Sequence, residues 1–112
     1  MHDRGSHPGR YQRRIIDDEL DDLMAGAAAI SIEGPRAVGK SRTALQRART
    51  THLLDDEAQR TLLTAEPQLI LDEEPPILID EWQLVPAVWN VVRRSVDDGA
   101  PPGRYLLTGS VD

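Results

Sequence analysis

The residues Gly34, Pro35, Arg36, Ala37, Val38, Gly39, Lys40 and Ser41 contain the only lysine in a chain whose other twelve basic residues are all arginine. They match the pattern G-x-x-x-x-G-K-[ST] at every fixed position. Each residue type has a use in holding phosphate. Gly34 and Gly39 permit backbone angles that a Cβ forbids, so successive amides can turn inward onto phosphate oxygens. A helix starting near Lys40 adds its positive end. The Lys40 ammonium is a compact point charge that reaches β- and γ-phosphates inside a tight loop, where a planar guanidinium fits poorly. Elsewhere positive charge needs only solvent or an ion pair, and arginine supplies it. Gly34 to Ser41, with Arg42 next on the helix, are the candidate cofactor-binding residues.

A second constellation follows downstream. Residues 77–81, ILIDE, form an apolar run ending in two acids. Asp80 together with the Ser41 hydroxyl suits Mg²⁺, a hard cation that takes oxygen ligands. Glu81 is then placed to orient or deprotonate an attacking water. Each signal has a plainer reading when taken alone. The glycine loop could be a chance turn, and the acid pair could cap the next helix. Their order along the chain favours nucleotide binding. The run RYLLTGS, residues 104–110, ends in the polar residues Thr108 and Ser110. A polar strand end before a turn at Gly109 accounts for these two equally well.

The elements that must position these residues alternate. Ile15, Ile16, Leu20, Leu23 and Met24 have helical spacing, with Asp17, Asp18, Asp21 and Asp22 largely opposite and Gly26 as a stop. AAAISIE, residues 27–33, reads as a buried strand. In the helix after the glycine loop, Ala44, Leu45 and Ala48 share one face. THLLDD, residues 51–56, is a second strand, with His52 in a structural role. Asp56 and Gln59 have capping-box spacing for a helix that ends at Pro67. Leu69 to Leu71 has no clear place. Pro75-Pro76 leads into the third strand, and Pro86 suits the first turn of a helix stopped by Gly99. Residues 104–110 are the fourth strand. Trp89 and Tyr105 are expected in the core, and Trp82 in packing. This alternation predicts an α/β fold with a parallel sheet covered by helices on both faces.

Composition narrows the classes. The chain has 112 residues, a net charge of −6 and no cysteine. That length suits one domain. Disulfides, thiolate zinc sites and thiol catalysis are excluded. No basic block marks a nucleic-acid or membrane-surface binder. No apolar run approaches ~18 residues, and the N-terminus has no secretory core. A cytoplasmic location is the expectation. Residues 1–12 read as a disordered lead-in whose His2 and His7 make no metal site, and 13–112 as the domain.

"GPRAVGKS", "ILIDEWQ" with "VPAVWNVVRR", and "GRYLLTGS" together resemble the prokaryotic AAA-type ATP-binding proteins, in which such a core precedes a C-terminal domain of unknown function. The resemblance covers Tyr11 to Ser110. It implies a P-loop NTPase three-layer sandwich with full strand order 5-1-4-3-2, of which this chain supplies the four strands 1-4-3-2, without the fifth strand or the lid. It also implies Lys40 and Ser41 as phosphate and metal residues, Asp80 and Glu81 as metal and water residues, and Thr108 or Ser110 as the γ-phosphate sensor, with Thr108 preferred. Gln83 occupies a polar position common after the acid pair, with no assigned role. The expected function is Mg-ATP binding, with weak hydrolysis in which Glu81, Lys40 and Thr108 are the catalytic candidates. The edge left by a missing strand is a pairing site for a second copy or a protein partner. The alternatives are a non-catalytic nucleotide- or partner-binding remnant and, behind it, a small-molecule P-loop kinase. A GTPase is disfavoured, because the guanine-reading N-K-x-D motif needs a lysine and Lys40 is already used.

Overall fold

The computed structural model describes the backbone of residues 18–34 and 40–110 and the side chains of 18–32 and 42–109. The expected lead-in at 1–12, with His2, His7 and Tyr11, lies outside the described residues.

Residues 18–26 are the described part of helix α1. Then come β1 (Ala29–Gly34), α2 (Lys40–Arg47), β2 (Thr50–Leu53), α3 (Glu57–Ala65), a 3₁₀ helix (Pro67–Asp72), β3 (Ile77–Asp80), a short 3₁₀ helix (Trp82–Leu84), α4 (Ala87–Asp97) and β4 (Tyr105–Ser110). The four described strands form one sheet in the order β1-β4-β3-β2, and all pairs are parallel. Fold class and strand order are as expected.

Alternation along the strands divides the core between the two faces of the sheet. Ile77, Ile79, Tyr105 and Leu107 join Leu54, Leu63, Ile70, Val85, Val88 and Val92 on the side of α3 and α4. Leu78, Leu106 and Ile30 meet Leu20 of α1 and Ala44 of α2 on the other. Strands buried on both faces need continuous apolar runs, and ILI and YLL provide them. Arg47 ties the helices of the second layer together. Its Nε and Nη2 donate to the two carboxylate oxygens of Asp21 at 2.7 and 3.1 Å, and its Nη1 donates to the Thr43 carbonyl at 3.1 Å. The hydrogen bond from Arg47 holds the Asp21 carboxyl below its ordinary range. No helix among the described residues is long and apolar enough to cross a membrane.

Several local expectations are corrected. The second strand stops at Leu53, because the Asp56 amide turns back to the Leu53 carbonyl at 3.0 Å and Asp56 caps α3. Only half of the capping box forms. Asp56 accepts from the Gln59 amide at 3.1 Å, but Gln59 Oε1 accepts from the Leu53 amide at 2.7 Å instead of returning to the cap. The unplaced Leu69 to Leu71 lies in the 3₁₀ helix, where Ile70 is fully buried. Leu45 is 43% exposed, since α2 turns Thr43 and Ala44 inward. Trp89 is not core but 42% exposed, because α4 presents Val88 and Val92 to the sheet. Its ring leans instead on Trp82, with centroids 5.4 Å apart. Tyr105 is fully buried as expected, and its hydroxyl donates to Ser95 Oγ at 2.8 Å. His52 lies within β2, and its Nε2 sits 2.6 Å from Glu73 Oε1, which supports a structural role.

Candidate nucleotide site

Parallel register brings the carboxyl ends of three strands together. Gly34 at the end of β1 pairs with Ser110 of β4, and Asp80 at the end of β3 pairs with Thr108. In parallel α/β sheets, ligands bind beyond the carboxyl ends of the strands. The chain leaves β1 at Gly34 and enters α2 at Lys40, so the helix begins at this same end of the sheet. Its unpaired amides and positive pole suit an anion there. Pro35, Arg36, Ala37, Val38 and Gly39 lie outside the described residues, as do the side chains of Lys40, Ser41 and Ser110. Arg42 is exposed on α2.

The acids are held by two different devices. Thr108, 2% exposed, donates its hydroxyl hydrogen to Asp80 Oδ1 at 2.5 Å. That fixes the carboxylate at the strand end and leaves Asp80 only half-buried. Glu81 is 8% exposed and takes the left-handed conformation, φ 57° and ψ 46°. A side chain rarely adopts this region, and such angles persist only where surrounding contacts impose them. Here the Glu81 amide donates to the Thr108 carbonyl at 2.7 Å, and the Glu81 carbonyl accepts from Leu84 at 3.0 Å. The chain therefore turns out of β3 directly into the short 3₁₀ helix.

Gln83 on that helix donates from Nε2 to Glu81 Oε1 at 3.3 Å. Its amide also lies against Gly109, which is a residue of β4 rather than a turn. A Cβ at Gly109 would stand 2.8 Å from Gln83 Oε1. From the sequence alone, Gly109 has no function beyond a turn and Gln83 has no assigned role. A glycine inside a strand is the available signal, since it marks the close approach of another group.

Among the described residues, no three or more His, Cys, Asp or Glu side chains converge as a metal cage. The donor chemistry present fits Mg²⁺. That ion uses one or two protein oxygens and completes its octahedron with phosphate and water. Asp80, steadied by Thr108, is the described candidate ligand.

A parallel α/β sheet, in which a strand leading into the G-x-x-x-x-G-K-[ST] motif and an acid-tipped strand flank β4 at the carboxyl end, defines the nucleotide-binding class of P-loop domains. Residues 27–112 match the family described as AAA domain, and the chain belongs to that family. No curated protein and no solved structure matches the chain.

Proposed function

We propose that this chain binds ATP with Mg²⁺ and hydrolyses it slowly. The observation that carries the reading is the register of β1, β4 and β3. It puts the end of the strand preceding Gly34 to Ser41 beside Thr108, and Thr108 beside Asp80. Loop amides and the Lys40 ammonium bind the phosphates, and Asp80 with Ser41 holds the metal. Mg²⁺ held there by Asp80 and Ser41 would supply charge neutralisation for the phosphates. Glu81 accepts a proton from, or orients, the attacking water, and its burial keeps bulk solvent from competing. Thr108 keeps Asp80 in place and meets the terminal phosphate.

Titration of a fluorescent ATP analogue in the presence of Mg²⁺ tests the binding. Lys40→Ala should lose most of the affinity. Lys40→Arg should also be impaired, because shape as well as charge is at stake. Equal binding by wild type and Lys40→Ala overturns the proposal.

A further inference from the structure

We infer that Gln83 is the positioning residue for Glu81, and that position 109 is glycine because the Gln83 amide occupies the space a side chain would take. The inference rests on the hydrolytic reading above. The donor bond from Gln83 Nε2 to Glu81 Oε1 aims a carboxylate whose backbone already sits in an uncommon conformation. Gln83 is itself held on both sides. Trp82 before it packs on the core beside α4, and Val85 after it is 3% exposed and closes the turn through its amide to the Trp82 carbonyl at 3.0 Å. The amide lies over Gly109, where a Cβ would stand 2.8 Å from Gln83 Oε1 and push that side chain aside.

The end of β4 thus governs both acids through consecutive residues. Thr108 holds Asp80 directly, and Gly109 admits the side chain that holds Glu81. These residues pair with Ile32 and Glu33 of β1, the last residues before the Gly34 to Ser41 motif. A group at the phosphate end of β1 and the water-orienting acid are therefore linked through one strand.

Single-turnover hydrolysis, with the full chain in excess over labelled ATP and long incubation, tests this alongside the dissociation constant. Gln83→Glu keeps the shape of the side chain and removes its NH₂ donor. It should slow hydrolysis about tenfold or more, since small misplacements of a catalytic group cost up to ~10²-fold. Affinity should stay within about twofold, the pattern of an interaction that matters after binding. Gly109→Ala should slow wild type similarly and add nothing in a Gln83→Ala background, as coupled neighbours do.

A Gln83→Glu rate equal to wild type, with Glu81→Gln inactive, overturns the positioning role and leaves the hydrolytic reading standing. An additive Gly109→Ala effect overturns the assigned reason for the glycine. A wild-type rate no faster than Lys40→Ala, or an unaffected Glu81→Gln, overturns the hydrolytic reading and this inference together. If Gly109→Ala fails to fold, as a melting curve will show, the Gln83→Glu comparison decides.

Discussion

Asp80 and Glu81 are adjacent in sequence, yet different contacts hold them, and different roles are proposed for them. Asp80 takes the Thr108 hydroxyl, whereas Glu81 takes the Gln83 amide from a left-handed turn. Glu81→Gln should therefore keep Mg-ATP binding and lose hydrolysis. Asp80→Asn should weaken the magnesium-dependent part of binding. Binding titrations with and without Mg²⁺, together with a phosphate-release assay, separate the two. Wild-type hydrolysis by Glu81→Gln would mean that the water-orienting group lies elsewhere. The residue types of the proposed site are legible in the sequence, because the phosphate and metal chemistry proposed for it would restrict what can stand at Lys40, Ser41, Asp80 and Glu81. The Gln83–Gly109 contact is not legible. The two are distant in sequence and meet only through the register of β3 and β4.

At the scale of elements, helical periodicity marks an apolar stripe but leaves its centre uncertain by one residue. That margin explains Leu45 and Trp89. Each stands next to the residue that faces the sheet, Ala44 and Val88 respectively, and is itself largely exposed. The adjacent pair in α3 gives a test. Leu63 is fully buried and Leu62 is 49% exposed. Leu63→Ala should cost about 2–5 kcal/mol, the usual range for a buried leucine. Leu62→Ala should stay within about 0.5 kcal/mol, as surface changes do. Urea melts of both variants check this, and equal losses would mean that the helix sits rotated from the orientation described. The Arg47–Asp21 tie between α1 and α2 follows a different rule. Its depressed carboxyl contributes above the ordinary carboxylate pKa, and the contribution fades as pH falls through the lowered value. Asp21 has a side-chain exposure of 61%, so solvent screening keeps that contribution small.

For the whole molecule, one sheet separates two apolar layers and carries the candidate site on its rim. The alternation of elements and the doubly buried strands were readable from the apolar runs, whereas the strand order came through family resemblance, because periodicity does not say which strands pair. Ligand binding to the rim should be felt by the whole domain. Mg-ATP at about a hundred times its dissociation constant should stabilise the fold by about 2.7 kcal/mol. For a domain near this size, each kcal/mol shifts the midpoint by about 4–8 °C. Thermal melts should therefore rise by about 10 °C or more with Mg-ATP in wild type and stay unchanged in Lys40→Ala. No rise in wild type would contradict saturable binding to the native state.

The turn at Glu81 also bears on how such a gene changes over generations. A left-handed backbone costs an ordinary side chain about 1–2 kcal/mol, and asparagine adopts it more readily than glutamate. Burying a carboxylate carries a further cost. These two costs set the expectation for replacing the acid. Glu81→Asn should melt a few degrees above wild type while hydrolysing nothing, the trade of activity against stability seen at strained sites. A lower melting point for Glu81→Asn would show that the contacts of the glutamate outweigh the strain. If the variant is the more stable, then in a lineage no longer selected for ATP turnover this position should be among the first to drift, and the protein that results should be sturdier than its ancestor.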